Sequence, residues 1–195
     1  MDLIERITDS ISEHREMIDN ILSDSEFVKE IEHSALIIAE SFCSGGTVFA
    51  FGNGGSAADA QHIVAELVGR FAIERGGLRA IALSTDGSIM TSLSNDFGYD
   101  EVFAHQIDAL GSPGDVAIAF STSGKSPNII KGIEKAKEKE MQVIGLTGKD
   151  GGSIVPLCDS ILLIPSQDTP RIQEGHVLAY HILCGLVEQA VCARK

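Results

Sequence analysis

The sequence predicts a single α/β domain over residues 1–195, with five parallel strands in one doubly wound sheet and a helical extension over residues 1–45. Three observations predict this fold. Five short apolar runs alternate with segments of helical periodicity. Each run is almost continuously apolar, which is typical of parallel strands covered by helices on both faces. The length of 195 residues fits one such domain but not two.

The extension is predicted from two apolar stripes whose residues recur at steps of three and four, the spacing of one helix face. The first stripe is Ile4, Ile7, Ile11, His14, Ile18 and Ile21, and the second is Phe27, Ile31, Ala35, Ile38 and Phe42. Gly45 and Gly46 end the second helix. Because such faces are not stable in water alone, we expect them to pack against the domain or against a partner subunit.

The strands are predicted at the five apolar runs, residues 47–51, 79–83, 115–120, 143–146 and 161–164. Helices are predicted at about 57–68, after Asp86, and from Pro127, which suits a first helical position because proline has no N–H to leave unpaired. A long, largely apolar helix runs from Arg171 to about Cys192. Right-handed crossovers between parallel strands place the strand-to-helix loops at one edge of the sheet.

Charge and cysteine content exclude several classes of protein. Fifteen basic and twenty-eight acidic residues give a net charge of −13, which disfavours binding to nucleic acid. No apolar run approaches the roughly 20 residues that span a bilayer, and the first residues do not resemble a signal peptide. The cysteines are scattered without a C-x-x-C pair, as is typical of reduced thiols. We therefore expect a cytoplasmic protein with neither a membrane nor a nucleic-acid partner.

Two loops at the predicted sheet edge are suited to bind an anion. In the first, Gly52, Gly54 and Gly55 allow close approach of the backbone to a ligand, and Ser56 is predicted to cap the next helix. The loop after the third strand carries four hydroxyls, those of Ser121, Thr122, Ser123 and Ser126. Turns and helix caps use the same residue types without any ligand. Two such loops in one sheet nevertheless favour a phosphate or sugar site.

A dinucleotide site is the rival interpretation of the first loop. Residues 52–57 satisfy the loose pattern G-x-G-x-x-G/A, and Asp86 follows a later strand. That interpretation leaves the hydroxyl-rich loop without a function, so we expect no nicotinamide or flavin cofactor. The Walker A pattern is absent from the sequence.

Polar residues on two predicted helices form a candidate catalytic or metal site. His62 and Glu66 are four residues apart, so their side chains share a helix face at roughly 6 Å along the axis. Such a pair binds a divalent ion or acts as a base with its orienting partner, unless it is only a solvated ion pair. The apolar final helix also carries polar residues that need partners, namely Gln173, Glu174, His176 and His181. For His176 we expect a hydrogen-bonded core histidine.

Four separated motifs resemble the phosphoheptose isomerases of the sugar isomerase (SIS) domain family. They are FGNGGSAADAQH at 51–62 continuing to AEL at 65–67, STSG at 121–124, LTGKDGG at 146–152 and RIQE at 171–174. The resemblance covers nearly the whole chain. It implies a five-stranded parallel fold assembled as a homotetramer. It also implies conversion of D-sedoheptulose 7-phosphate into D-glycero-D-manno-heptose 7-phosphate, the first step of ADP- or GDP-heptose biosynthesis for bacterial surface glycans.

The resemblance also implies functions for individual residues. Substrate contacts of the family match Asn53, Gly54, Gly55, Ser56, Asn95, Asp96, Ser121, Thr122, Ser123, Ser126 and Gln173. Members that bind zinc, one ion per subunit, use residues matching His62, Glu66, Gln173 and His181. Glu66 and His181 also match the residues that transfer protons.

Gln173 and His181 raise a geometric question, because eight residues span roughly 12 Å along a straight helix. Both side chains meet one ion only if they reach towards each other, if the helix bends, or if they come from different subunits. We therefore predict that at least one active-site residue crosses a subunit boundary.

Two alternatives to a heptose isomerase stay open at this point. One is a SIS isomerase of another sugar phosphate. The other is a non-catalytic branch of the family that binds the bacterial replication initiator and is expected to lack the equivalents of Glu66 and His181. Both residues are present here, which favours an enzyme.

Overall fold

The computed structural model describes residues 2–193, and its centre is the predicted five-stranded parallel sheet. The strands are β1 (Val48–Gly52), β2 (Ala80–Ala82), β3 (Val116–Ser121), β4 (Gln142–Thr147) and β5 (Ser160–Leu163). Their order in the sheet is β2-β1-β3-β4-β5, and each neighbouring pair is parallel. The chain passes from β1 to one side and then returns to β3 on the other side. The loops that leave β1 and β3 therefore meet at the switch point where open α/β sheets bind ligands.

Helices cover both faces of this sheet. They are α1 (Leu3–Ser23), α2 (Ser25–Cys43), α3 (Gly55–Val68), α4 (Gly87–Phe97), α5 (Val102–Leu110), α6 (Pro127–Glu138) and α7 (Thr169–Cys192). Short 3₁₀ helices lie at Tyr99–Glu101 and Gly152–Leu157. The sequence predicts one helix after β2, whereas the structure has α4 and α5. Gly98, with φ of 90°, ends α4 in a conformation that a helix cannot continue.

Successive side chains along each strand point to opposite faces of the sheet, so the core is divided into two layers. Val48 and Ala50 of β1 pack in the layer that contains α2, α3 and α7, whereas Phe49 and Phe51 pack in the layer that contains α5 and α6. By length and composition α7 would suffice to cross a membrane, but half of its most apolar window is buried inside the fold. It packs against α2 and α3. As a result, α3 and α7 lie side by side, and both carry predicted site residues.

The two N-terminal stripes differ in their surroundings. The second stripe is buried from Phe27 to Ile38, as expected for packing on the domain itself. In the first stripe, Ile4, Ile7 and Ile11 are 71%, 60% and 65% exposed. In the described chain, the apolar side chains in the first half of α1 are therefore not buried against the domain.

Candidate active site

The glycine loop after β1 packs directly on the final helix. Helix α3 begins at Gly55, and its N-cap is Gly54, whose φ of 57° favours glycine. The prediction that Ser56 caps the helix is therefore wrong, because the helix begins earlier and Ser56 lies buried within it. A Cβ atom at Gly55 would overlap the side-chain amide of Gln173. Two predicted substrate residues, Gly55 and Gln173, are thus in contact.

Asn53 connects the glycine loop to the loop after β3. Its Nδ2 donates to Oδ1 of Asn128 at 2.9 Å, and Nδ2 of Asn128 donates to Oδ1 of Asn53 at 2.9 Å. The hydroxyl of Tyr99 also donates to Oδ1 of Asn53, at 3.0 Å. Asn128 is only 2% exposed and is not among the predicted site residues. The sequence signal that could have found Asn128 is its position directly after Pro127, at the start of the helix that follows the hydroxyl-rich loop.

The hydroxyl-rich loop folds back on its own backbone. Ser121 Oγ accepts a hydrogen bond from the N–H of Gly124 at 3.1 Å, and Ser123 Oγ accepts one from the N–H of Lys125 at 3.3 Å. Thr122 is half-buried, and Ser126 is the N-cap residue of α6. The free N–H groups of a helix start attract negative charge. This edge of the sheet therefore suits a phosphate group.

Asn95 and Asp96 lie on a different element from the two loops. Both are exposed on α4, and Nδ2 of Asn95 donates to Oδ1 of Asp96 at 2.8 Å. The segment that follows α4 carries Tyr99, whose hydroxyl contacts Asn53. In the described chain this tyrosine links the α4 region to the glycine loop.

Three polar side chains from α3 and α7 converge where these two helices pack together. Nε2 of His62 lies 3.1 Å from Oε1 of Glu66 and 3.4 Å from Nε2 of His181. One ligand atom from each residue lies within 4.8 Å of the others. Two imidazoles and a carboxylate are a donor set that zinc commonly uses. Partial burial and the neighbouring His62 lower the pKa of His181, which favours the neutral ring that such chemistry needs.

Gln173, the fourth predicted metal ligand, lies against the start of α3. It contacts Gly55, which precedes His62 by seven residues, or roughly 10 Å along a helix axis. Gln173 is therefore not in the group that forms around His62 in this chain. Within this one chain, the structure groups His62, Glu66 and His181.

A loop between α3 and β2 supports this group from the side. The carboxylate of Glu188 accepts hydrogen bonds from the backbone N–H groups of Phe71, Ala72 and Ile73, and it pairs with Arg75 at 2.9 Å. Burial alone would raise the pKa of Glu188, but these donors outweigh it and hold the pKa below its usual value. The ring of Phe71 is thereby held 5.7 Å from the ring of His181, measured between centroids.

Two further titratable side chains, those of Asp59 and His176, lie buried close to His62. Burial raises the pKa of Asp59 to about 6, with His62 opposing the shift, and burial lowers the pKa of His176 to about 4. His176 donates from Nε2 to the carbonyl of Thr147 at 3.4 Å, whereas its Nδ1 lies 4.0 Å from Oδ2 of Asp59. Among the described residues, these last two atoms have no hydrogen-bond partner. His176 is thus a core histidine, as expected, but only one of its ring nitrogens is paired.

Residues 11–148 match the family model of the SIS domain. Over 189 residues the chain is 49% identical to a phosphoheptose isomerase of Burkholderia pseudomallei (strain 1710b), covering 97% of this chain and 96% of that protein. It is 52% identical over 168 residues to a phosphoheptose isomerase of Trichlorobacter lovleyi, covering 86% of each.

Two solved structures resemble the whole chain. One is phosphoheptose isomerase GmhA from Neisseria gonorrhoeae, with a TM-score of 0.91 and 39% identity, covering 96% of this chain and 100% of that one. The other is a phosphoheptose isomerase from Francisella tularensis, with a TM-score of 0.93 and 33% identity, covering 97% of this chain and 100% of that one.

Proposed function

This chain belongs to the SIS domain family, and we propose that it is the aldose–ketose isomerase that converts D-sedoheptulose 7-phosphate to D-glycero-D-manno-heptose 7-phosphate. The observation that carries the proposal is the convergence of Glu66 and His181 with His62, on the helix that follows the glycine loop and the final helix packed beside it. Relatives named phosphoheptose isomerase, about half identical over nearly the full length, support the same substrate. We place the reaction in the cytoplasm, at the start of ADP- or GDP-heptose biosynthesis for lipopolysaccharide or related surface glycans.

Isomerisation moves a hydrogen between C1 and C2 and a second proton between their oxygens. We assign the carboxylate of Glu66 to remove and return the proton on carbon, and the imidazole of His181 to serve the oxygens or to open the sugar ring. The two groups lie close enough to act on one enediol. Asn53, Gly54, Gly55, Ser56, Asn95, Asp96 and Gln173 would hold the sugar.

The phosphate end of the substrate is assigned to Ser121, Thr122, Ser123 and Ser126. Hydrogen bonds to a charged phosphate contribute more than those to a neutral group, so this loop supplies binding energy away from the reacting carbons. That energy orients C1 and C2 towards Glu66 and His181.

Zinc fits the donor set that His62, Glu66 and His181 form, and we propose that they hold one ion per subunit. When bound, the metal would polarise the sugar carbonyl as a Lewis acid. Gln173 joins this set if a partner subunit or a rearranged side chain brings it near. A carboxylate bound to a cation is a weaker base, so the two roles of Glu66 belong to different states of the site.

We propose a homotetramer with active sites at the subunit interfaces. Support comes from the exposed stripe on α1 and from an apolar groove of about 570 Å³ that α7 lines together with α1 and α2. Ile182, which follows His181 directly, lines this groove and is 40% exposed. Burial of such a face in an oligomer would place subunit contacts next to the catalytic histidine.

The test is to incubate the protein with sedoheptulose 7-phosphate and, separately, with fructose 6-phosphate in deuterated water, with and without a chelator. We expect aldose formation and deuterium incorporation from the heptose phosphate only. Equal turnover of fructose 6-phosphate would favour another SIS isomerase. Binding without exchange or aldose formation would favour a regulatory SIS protein.

A further inference from the structure

We propose that Tyr180 is a positioning residue that turns Nε2 of His62 towards the metal site, an inference that rests on the proposed function. The two residues come from helices α7 and α3, and the phenol oxygen of Tyr180 lies 2.8 Å from Nδ1 of His62. Tyr180 is fully buried, whereas the side chain of His62 is 46% exposed. A rigid buried group therefore fixes a ring that is otherwise open to solvent on one side.

The tautomer of His62 explains why this contact concerns the metal. A neutral imidazole carries one N–H, and the nitrogen that binds a cation must be the one without it. Nε2 is the nitrogen that faces Oε1 of Glu66 and Nε2 of His181, so the proton has to reside on Nδ1. There it needs an acceptor, and the oxygen of Tyr180 is the atom within reach.

A hydroxyl suits this position better than a carbonyl or a carboxylate, because a hydroxyl both donates and accepts. Before a cation binds, Tyr180 donates to Nδ1 while the N–H at Nε2 donates to Glu66. With a cation at Nε2, Nδ1 carries the proton and donates to Tyr180. The same pair of atoms thus orients His62 in both states, as the outer partners of metal-binding histidines generally do.

The packing of the Tyr180 ring does not depend on its hydroxyl. The ring meets those of His62 and His181 edge to face, with centroid distances of 5.3 Å and 4.9 Å. It also lies 6.1 Å from the ring of Phe120 in the core. Tyr180→Phe therefore keeps these contacts and removes one oxygen atom.

Zinc affinity, measured by competition with a chromogenic chelator, tests the inference. We expect Tyr180→Phe to bind zinc about 10- to 100-fold more weakly than the unmodified protein, the usual effect of losing such a partner. The matched control is Tyr99→Phe, which removes the hydroxyl of the chain's other tyrosine from Asn53 and should leave zinc affinity unchanged. Urea unfolding of the metal-free proteins shows whether the fold is retained.

A double-mutant cycle separates positioning from a general structural effect. If Tyr180 acts through His62, then Tyr180→Phe has no further effect on zinc affinity in a His62→Ala background. Additive losses would overturn the inference, as would equal affinities of Tyr180→Phe and the unmodified protein. A Tyr180→Phe chain that does not fold would also overturn it, because the hydroxyl would then support the fold and not one ligand.

Assays of aldose formation and of zinc binding distinguish failure of the proposed function from failure of the inference on Tyr180. If the unmodified protein forms aldose but binds no zinc, the inference on Tyr180 fails and the isomerase stands. If zinc binds and weakens as expected in Tyr180→Phe but no aldose forms, the isomerase fails and the inference stands.

Discussion

Replacing Glu66 by glutamine tests whether this carboxylate transfers the proton on carbon. The side chain is 24% exposed and pairs with the 46% exposed His62 at 3.1 Å. Exposed pairs at this helical spacing contribute only about 0.3–0.5 kcal/mol, and glutamine has nearly the same shape. We therefore expect the free energy of unfolding to change by less than about 1 kcal/mol. Loss of a general base, in contrast, lowers kcat by about 10²- to 10⁴-fold, or roughly 3–5 kcal/mol of barrier.

The assay is the initial rate of aldose formation from saturating sedoheptulose 7-phosphate, with deuterium incorporation at carbon followed in parallel. Glu134→Gln, an exposed position on α6, is the matched control and should keep the full rate. Zinc content is measured in both proteins, so that a lost metal is distinguished from a lost base. A Glu66→Gln protein that isomerises at the unmodified rate would refute the assignment.

Three further substitutions test other parts of the structure. Gly55→Ala places a methyl group on the amide of Gln173, so we expect a loss of about 1–3 kcal/mol in urea unfolding and a higher KM; an unchanged KM would contradict this contact. Burial raises the pKa of Asp59 to about 6, so the stability linked to this carboxyl is present at low pH and lost as pH rises through 6. Asp59→Asn should therefore gain stability over the unmodified protein between pH 4 and 7, by up to about 3 kcal/mol, and a pH-independent difference would contradict the assignment. Glu188→Ala removes the acceptor of three backbone N–H groups and the carboxylate partner of Arg75, so urea unfolding should show a loss of about 3–5 kcal/mol; a loss below about 1 kcal/mol would show that the loop is held otherwise.

The sheet follows from the sequence because its signals are local. The run at 143–146 is apolar on both faces of the strand, and β4 extends it by one residue at each end. Pro127 begins α6 as predicted, because its fixed backbone angle suits that position. The start of α3 was predicted less well, since Gly54 adopts a positive φ that lets the helix begin before Ser56.

The site depends on contacts that spacing along the chain does not determine. The spacing of His62 and Glu66 places both on one helix face, but their approach to His181 depends on how α7 packs beside α3. Asn53 and Asn128 are 75 residues apart, and Tyr180 and His62 are 118 apart. Pro127 marks the helix start at which Asn128 lies, but no sequence neighbour identifies Asn53 or His62 as the partner in these contacts. Such pairs become visible only when the helices are placed on the sheet.

The reciprocal amide pair of Asn53 and Asn128 has a consequence for ligand selection. Two mutual hydrogen bonds join the glycine loop to the start of α6, so neither segment can shift without breaking both bonds. The conformational entropy of ordering these two segments is therefore lost when the protein folds and not when a ligand binds. A rigid site of this kind selects sugar phosphates by the distance between the phosphate and the reacting carbons. A sugar phosphate one carbon shorter could not contact both ends of a rigid site at once, because the site does not contract around it.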